Sequence, residues 1–338
     1  KQPDIELKVY FACIPDAAAQ GSGFDVAFEW DIPMLEGYEW EVLENRKHPA
    51  RIDGFFSSNV RNMGEVLKRD RPDAVILTGW QALPLLQALF WCVWLRIPRV
   101  VRGESNGMKP RRWKVRLVHC LLLPWYNAYL AIGKANRLFY RGYSIKEDKL
   151  FPCPYFVENG RLLKQAENIE GERNILRDAW GIPADAICFL YMGKLNHKKR
   201  LFDQLAALKL ARKRNKNITL LVVGTGELMD EAKRMVEDEQ LPVTFAGFLN
   251  QTEITQAYVA SDCLVLSSDY DETWGLVVNE AMVCGLPAIV SDRAGSGLDL
   301  IEEGKTGLTY PFADVEALAE KMLFMAEDPK RMKDMGMG

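Results

Sequence analysis

Two carboxylates flank the predicted start of a helix in the last third of the chain. Glu272 lies on a loop that runs to Gly275, and Glu280 follows roughly 1.5 turns into the predicted helix. The amides of Trp274, Gly275 and Leu276 would then lie at the helix N-terminus, where backbone N–H groups attract phosphate or sugar oxygens. A carboxylate at Glu280 can accept hydrogen bonds from two vicinal hydroxyls, as on a ribose, and Glu272 can do the same for a hexose.

A second group of polar residues follows an earlier predicted strand. The loop from Gly193 to Arg200 contains Lys194, Lys198 and Lys199. Cations at the carboxyl end of a parallel strand suit a diphosphate, because they neutralise the charge that develops on a leaving group.

A glycine-rich turn follows the next predicted strand. Gly224 and Gly226 let the backbone approach a ligand closely. The turn is not a dinucleotide-binding fingerprint, because position 229 is Met where that motif has Gly or Ala. This mismatch makes a dehydrogenase the least favoured class of enzyme.

Ordinary roles also explain each of these features when it is taken alone. Glu272 could be a surface loop acid, Glu280 a solvated helix residue, and the lysine loop a solvated basic turn. Two glutamates together with the following Gly285-Leu286-Pro287 argue against the first two alternatives, and the strand-end position favours a ligand role for the lysines. A plain tight turn explains the two glycines equally well.

The elements that must position these loops alternate between strand and helix, which predicts parallel sheets covered by helices. We predict two domains, residues 1–156 and 157–338, because the two prolines near Phe151 to Pro154 suit a domain crossover. The predicted strands of the first domain are 6–12, 74–77, 99–102 and 128–132, and its predicted helices are 59–69, 84–95 and 113–123. In the second domain, strands are predicted at 187–192, 218–223, 243–246, 263–267 and 287–291, and helices at 201–212, 228–236, 253–260, 275–283 and 315–326.

Composition excludes several classes of protein. The net charge is −3, which gives no reason to expect nucleic acid as a partner. Seven cysteines without CxxC spacing, most in apolar runs, indicate reduced core residues of a cytoplasmic protein. The three histidines have no metal-ligand spacing, so no metal site is expected.

The run from Glu272 to Pro287 resembles the E-x7-E signature of family 4 (group 1) glycosyltransferases. Other loops follow in that family's order. Gly193-Lys194-Leu195 to Lys199 resembles its G-R-L-x-x-x-K loop, with Lys194 where Arg is commoner. Val222 to Gly226 resembles its V-G-x-G turn, and Phe245 to Phe248 its F-x-G-x turn. The resemblance covers nearly all of residues 187–325 and is weaker in the first half.

The resemblance implies the GT-B fold, with two Rossmann-like domains facing across a cleft, and retaining sugar transfer without a bound metal or other cofactor. It implies that Glu272, Lys194 and Lys199 serve catalysis, with both lysines on the donor diphosphate. UDP is the expected nucleotide, on family frequency. The implied donor-binding residues are Gly193, Lys194, Lys199, Gly224, Gly226, Phe248, Leu249, Glu272, Thr273, Trp274, Gly275, Leu276 and Glu280.

The family pattern usually begins with a strand, a glycine-rich loop and a helix ahead of the strand matching residues 6–12, and it ends with a helix that crosses back to the first domain. Neither is found here, so we expect both ends of a longer natural protein to be absent. The first domain should hold the acceptor, which could be a sugar, a glycan, a lipid-linked glycan or a small metabolite. Residues at or near its strand ends are the expected acceptor contacts, namely Trp80, Arg102, Glu104, Ser105 and Asn136. Glu104 and Ser105 could equally cap the following helix.

Two other activities fit the same architecture. A nucleotide-sugar epimerase would need acid and base residues in the first domain and no acceptor. A non-catalytic protein that senses a nucleotide-sugar is the second alternative, although the presence of both donor carboxylates argues against it.

A basic segment from Lys109 to Lys114 precedes the predicted apolar helix 113–123. Such a helix could lie on anionic lipid, which would place the protein at the inner face of a membrane. A core-facing helix explains the same pattern and is the favoured prediction, because a Rossmann-like domain needs an apolar helix face. The most apolar stretch, Ala82 to Leu95, is too short to span a membrane.

Overall fold

A computed structural model describes residues 4–47, 51 and 53–337. The chain forms two compact units. Unit 1 comprises Lys1–Gly21, Ala27–Ile132 and Asn136–Pro154, and unit 2 comprises Ser22–Val26, Gly133–Ala135 and Tyr155–Gly338. The predicted boundary after residue 156 lies close to the division at Pro154, but two short earlier segments belong with unit 2.

The elements of unit 1 form two parallel sheets. Strands β3 to β6 pair in the order 3-4-5-6, and β1 pairs with β2. The strands are β1 (Lys8–Phe11), β2 (Glu39–Val42), β3 (Val75–Leu77), β4 (Arg99–Val101), β5 (Ala128–Ala131) and β6 (Leu150–Pro152). The helices before the division are α1 (Ala17–Gln20), α2 (Met63–Asp70), α3 (Leu83–Trp94), α4 (Trp113–Leu122) and α5 (Lys134–Arg141).

Unit 2 contains a six-stranded parallel sheet in the order β12-β11-β10-β7-β8-β9. Its strands are β7 (Ile187–Met192), β8 (Ile218–Val223), β9 (Val243–Gly247), β10 (Cys263–Leu266), β11 (Ala288–Ser291) and β12 (Gly307–Tyr310). Its helices are α6 (Asn159–Ile169), α7 (Arg173–Ala179), α8 (Leu201–Arg212), α9 (Met229–Asp238), α10 (Ile254–Ala260), α11 (Leu276–Val283), α12 (Gly295–Leu300), α13 (Val315–Glu327) and α14 (Pro329–Met337).

Both faces of the unit 2 sheet are covered, which is why its strands are continuous apolar runs. Along β7, Phe189 and Tyr191 pack in a core with α8 and α13, whereas Cys188 and Leu190 pack in a second core with α6, α10 and α11. Successive side chains of a strand point to opposite faces, so an apolar residue is needed at every position. Full burial of a side chain such as Leu190 contributes about 1.5–3 kcal/mol.

Several predicted elements coincide with the observed ones, and others do not. The strands 187–192 and 218–223 and the helix 201–212 have the predicted bounds. The helix predicted from residue 59 begins at Met63, because Val60 and Arg61 donate their backbone N–H groups to Gln87 and Glu44 instead. Sequence patterns also missed β2, β6, β12, α1, α5, α6, α7, α12 and α14.

Candidate functional site

The strand order of unit 2 reverses between β7 and β10, because the chain continues from β7 to β8 on one side and returns to β10 on the other. Crevices beyond the carboxyl ends of the strands at such a point are the usual ligand sites of open parallel sheets. The loops after β7 and β10 are joined there by hydrogen bonds. The hydroxyl of Ser267 donates to the carbonyl of Lys199 at 2.8 Å, and the amide of Asp269 donates to the carbonyl of Lys198 at 3.1 Å.

Lys199 and Glu272, one from each of these loops, form a direct ion pair between Nζ and Oε2. Their side chains are 17% and 12% exposed, so the pair is largely shielded from water. The hydroxyl of Ser268 also donates to Glu272 Oε2, at 3.3 Å. Two residues that were predicted separately to bind a diphosphate and a hexose therefore meet in one partly buried cluster, where a ligand with negative charge and hydroxyl groups could separate them.

Local backbone geometry positions Lys199. The side chain of Asn196 accepts a hydrogen bond from the Lys199 amide at 3.2 Å and so caps a short 3-10 turn. Arg200 then adopts a left-handed conformation, φ 56°, at the start of α8. Its guanidinium is held by Asp203 through two contacts of 2.8 Å. This turn fixes the lysine at the end of β7.

Lys194 has contacts within unit 2 that the sequence did not predict. Its ammonium donates to the carbonyl of Ser22 and lies 4.8 Å from the centre of the Phe24 ring. The Thr225 hydroxyl also donates to the carbonyl of Phe24. Burial and the nearby charges of Lys199 and Lys198 lower the pKa of Lys194, as expected for a cation that lacks an anionic partner in this cluster.

The glycines at the ends of β7 and β8 allow two loops to pack closely. Gly193, Gly224 and Gly226 have φ values of 152°, 120° and 149°. A Cβ atom at Gly224 would lie 2.0 Å from the carbonyl oxygen of Gly193, and one at Gly226 would lie 2.7 Å from that of Leu195. Gly224 and Gly226 are therefore required for contacts between protein backbones, whether or not a ligand also lies against them.

Helix α11 begins at Leu276, one residue after the predicted start at Gly275. Gly275 precedes the helix with φ 99°, and a Cβ there would lie 2.5 Å from Leu266 Cδ2. The Trp274 side chain is buried, and its indole N–H donates to Asn279 Oδ1 at 2.7 Å. The side chain of Trp274 thus supports the loop, which leaves the backbone as the part of this residue that can meet a ligand.

The backbone of the same loop is held by helix α12. The amide of Gly295 donates to the carbonyl of Glu272 at 3.4 Å, and the amide of Ser296 donates to that of Trp274 at 3.0 Å. A Cβ at Gly295 would lie 2.0 Å from the carbonyl oxygen of Thr273. Glu272 and Thr273 are therefore positioned by close packing with the next helix.

Glu280 accepts a hydrogen bond of 2.7 Å from the hydroxyl of Tyr258 on helix α10. Burial raises the pKa of Glu280, and the Tyr258 hydrogen bond opposes that shift. Burial and the neighbouring carboxylate raise the pKa of Tyr258 well above its ordinary value, so the hydroxyl stays a donor. Sequence reasoning missed Tyr258, because nothing in the local pattern distinguishes it from the other residues of α10 that pack inward.

The two residues predicted to meet a base lie after β9. The Phe248 ring packs edge-on against Phe24, with ring centres 5.3 Å apart. Leu249 packs against the apolar core that contains Tyr258. Phe248 is thus in a small aromatic pair next to Lys194, and Leu249 contributes to the core as well as to the loop.

The residues predicted to contact an acceptor have different surroundings within unit 1. Trp80 stacks on Phe139 at 6.0 Å between ring centres. Arg102 and Glu104 approach each other to 3.6 Å, and Ser105 is partly exposed.

Asn136 was predicted to contact an acceptor, but its side chain bonds to the protein backbone instead. Its side chain is buried, donates to the carbonyls of Gly103 at 3.0 Å and Ser105 at 2.6 Å, and accepts from the Ile132 amide at 3.1 Å. These bonds to backbone groups use the amide and give Asn136 a structural role.

Within the described ranges, no three His, Cys, Asp or Glu side chains converge in a way that could hold a metal ion. No helix in the part of the chain that the structure describes is both long and apolar enough to cross a bilayer.

Comparison with known proteins finds a family-model match in the second half of the chain. Residues 172–337 match the family model for glycosyl transferases group 1. This segment contains all the donor-loop residues described above, from Gly193 to Glu280. The matched segment lies within unit 2.

Curated relatives match over part of their length. The chain is 34% identical over 145 residues to a glycogen synthase of Mycobacterium tuberculosis, which is 41% of this chain and 34% of that protein. It is 29% identical over 273 residues to D-inositol 3-phosphate glycosyltransferase 2 of Catenulispora acidiphila, which is 69% of this chain and 62% of that protein. The chain thus spans about a third of the first relative and less than two thirds of the second.

Solved structures share the fold across most of the chain. An Anabaena protein, Alr3699/HepE, in complex with UDP has a TM-score of 0.68 at 17% identity, covering 88% of this chain and 79% of that one. Sucrose-phosphate synthase of Thermosynechococcus elongatus has a TM-score of 0.64 at 20% identity, covering 91% and 79%. The predicted fold class is confirmed: the chain has the α/β GT-B fold with two Rossmann-like units.

Proposed function

We propose that this protein is a metal-independent, retaining glycosyltransferase that moves a hexose from a nucleotide-sugar, with UDP as the nucleotide, to a hydroxyl group of an acceptor. The observation that carries the proposal is the Lys199–Glu272 ion pair at the β7/β10 reversal of a group 1 glycosyl transferase domain. It joins a cation for the phosphate and a carboxylate for the sugar at the place where such sheets bind ligands.

The other residues of the cluster take roles that follow from their chemistry. Lys199 and Lys194 would bind the donor diphosphate, and Glu272 would accept hydrogen bonds from hexose hydroxyls. Glu280, held by Tyr258, would bind the ribose hydroxyls. The free amides at the start of α11 would bind oxygens of the phosphate or the sugar.

The transfer we propose breaks the bond between the anomeric carbon and the diphosphate oxygen. The acceptor hydroxyl attacks the anomeric carbon from the face that the diphosphate leaves. The hydroxyl oxygen forms the new glycosidic bond, and the hydroxyl proton passes to the leaving diphosphate. The two lysines stabilise the negative charge that develops on the diphosphate, which is the contribution that a metal ion makes in other transferases. No protein side chain forms a covalent bond with the sugar in this scheme.

The identity of the donor is supported by structures of similar fold. The Anabaena protein has been solved with UDP and also with UDP-glucose. The acceptor in our proposal is a sugar, a glycan or a lipid-linked glycan. Support comes from curated relatives whose names specify a carbohydrate product or an inositol phosphate acceptor.

A thermal-shift screen tests the donor site. UDP-, GDP- and ADP-sugars are added to the 338-residue chain and to the Glu280→Ala variant. We expect a UDP-sugar to raise the melting temperature of the native protein, because a ligand that binds only the folded state stabilises it by mass action. The variant should lose most of that increase. If none of the nucleotides stabilises the native protein, or if the variant responds equally, the donor site is not where we place it.

A further inference from the structure

Helix α4 of unit 1 exposes the apolar side chains that the sequence predicted to face the core. Trp113, Leu117 and Leu121 are 70%, 52% and 66% exposed. They are spaced four residues apart and so form one stripe along the helix. Only His119 of α4 is buried. The prediction of a core-facing helix was therefore wrong for most of its surface.

Three exposed cations accompany this stripe. Arg112, Lys114 and Arg116 are exposed, and none of them has a carboxylate within 4 Å among the residues that the structure describes. We define the α4 face as these three cations together with Trp113, Leu117 and Leu121. Long basic side chains can extend their charged ends beyond an apolar surface, so the two kinds of residue are compatible with one binding partner.

The charge around the α4 face differs from that of the whole chain. Residues 105–146 contain nine Lys or Arg and no Asp or Glu, although the chain has a net charge of −3. Two of these cations, Arg137 and Arg141, pair with Glu147, but the three on the α4 face do not. This segment therefore presents positive potential next to exposed apolar surface.

Helix α3 extends the apolar surface. Phe90 and Trp94 are 61% and 70% exposed and stack on each other with ring centres 6.4 Å apart. The strands β3, β4 and β5 are neighbours in that order, so α3 and α4 are successive crossovers in one direction. Right-handed crossovers of this kind lie on the same face of the sheet. Both helices therefore present exposed aromatic residues on the same side of unit 1.

We propose that the α4 face docks on the surface of an anionic lipid bilayer. Apolar residues with large aromatic side chains, flanked by Lys and Arg, are the composition of helices that lie in the plane of a membrane interface. The ten residues of α4 lie along the surface and do not span it. A symmetric contact between two copies is disfavoured, because it would place the unpaired cations of one copy opposite those of the other.

Vesicle cosedimentation tests this docking with the 338-residue chain. Phosphatidylcholine vesicles are compared with vesicles that also contain phosphatidylglycerol. We expect binding to the anionic vesicles that weakens as salt is added, since mobile ions screen the headgroups. Arg112→Glu/Lys114→Glu/Arg116→Glu should lower the affinity at least about tenfold, because each basic residue near an anionic surface contributes to the attraction. Trp113→Ser/Leu117→Ser should also weaken binding.

The matched control is Lys213→Glu/Lys216→Glu/Lys233→Glu, which changes the net charge equally at three exposed lysines of unit 2. It should bind as the native chain does. Circular dichroism and melting temperature show whether each variant is folded. Three results would overturn the proposal: no binding by the native chain, equal binding to neutral vesicles, or equal loss in the control. Sedimentation equilibrium showing a dimer that the α4 variants abolish, without vesicle binding, would assign the face to self-association instead.

Discussion

The strand-end loops of the two units use their polar residues differently. In unit 2, Lys199 and Glu272 bond to each other across two loops and remain partly accessible. In unit 1, the Asn136 amide is buried and bonds to three backbone groups of its own unit. A charged pair that a ligand can separate is typical of a binding site, whereas a side chain used up by the backbone is typical of a structural support. Substitutions in the two units test that distinction.

Replacement of Lys199 should have the largest effect. Lys199→Ala removes a cation from the developing charge of the leaving diphosphate, and we expect sugar transfer to slow by about 10²–10³-fold. The change is measured as kcat with a saturating donor. Lys213→Ala, at an exposed lysine of the same unit, should leave kcat unchanged.

A purely structural ion pair would give a different pattern. Lys199→Ala leaves Glu272 partly buried without its cation. Stability is therefore expected to fall whether the pair serves catalysis or only structure. The double variant Lys199→Ala/Glu272→Ala removes that unpaired charge. We expect it to regain melting temperature without regaining transfer, and recovery of both would assign the pair a structural role.

Gly224→Ala tests whether the loops of unit 2 depend on close backbone packing. The new Cβ would lie 2.0 Å from the Gly193 carbonyl, at a φ of 120° that side chains rarely adopt. We expect a loss of at least about 3 kcal/mol in unfolding free energy, measured with urea. At Gly304 the backbone φ is 78°, and an added Cβ would meet nothing within 4 Å. Gly304→Ala should therefore lower the unfolding free energy by only about 1–2 kcal/mol. Equal costs at the two positions would mean that the close approach is not a constraint.

Asn136→Ala tests the corrected role of that residue in unit 1. Three backbone groups, two of them buried, would lose their partner, so we expect a loss of about 2–4 kcal/mol in unfolding free energy. The KM for an acceptor should stay within about twofold. Ser105→Ala is the control, and at this partly exposed position it should change stability by less than about 0.5 kcal/mol. A raised acceptor KM with unchanged stability would restore Asn136 to the acceptor site.

The raised pKa of Glu280 predicts that donor affinity depends on pH, and this effect should be smaller than those of the substitutions above. Burial raises this pKa above its ordinary value of 4.5, and ribose binding needs the ionised carboxylate as an acceptor. UDP affinity, measured by calorimetry, should therefore fall as pH is lowered through the raised pKa. The Glu280→Gln variant should bind UDP more weakly, and its UDP affinity should no longer fall as the pH is lowered.

The same shift predicts the sign of a stability change. A carboxyl whose pKa is raised by folding binds more protons when folded, so its ionised form costs stability above that pKa. Without ligand at neutral pH, Glu280→Gln should be slightly more stable than the native chain. If it is less stable and its UDP affinity keeps the same pH dependence, Glu280 is a structural residue.

The sequence predicted most of unit 2 because its signals are local. Strands such as Ile187–Met192 are continuous apolar runs followed by glycine, and α11 begins within one residue of its predicted start at Gly275. The contact between Lys199 and Glu272 is not local. It depends on β10 pairing with β7, which no pattern within either loop encodes.

The missed features are those that tertiary structure decides. Tyr258 bonds to Glu280 across two helices, and the Ser22–Val26 segment packs with residues about two hundred positions later. Periodicity predicted a helix at α4, but it could not determine which side of the helix would be covered. Burial of that side depends on its neighbours, and the structure leaves it exposed.

A crystal structure of the chain with UDP would show whether the nucleotide binds at the β7 and β10 loops. We predict that the ribose hydroxyls lie within hydrogen-bond distance of the Glu280 carboxylate and that the diphosphate contacts the ammonium groups of Lys194 and Lys199. The Lys199–Glu272 contact should lengthen as the phosphate takes the cation. UDP bound away from the β7 and β10 loops, with that ion pair intact, would contradict the account.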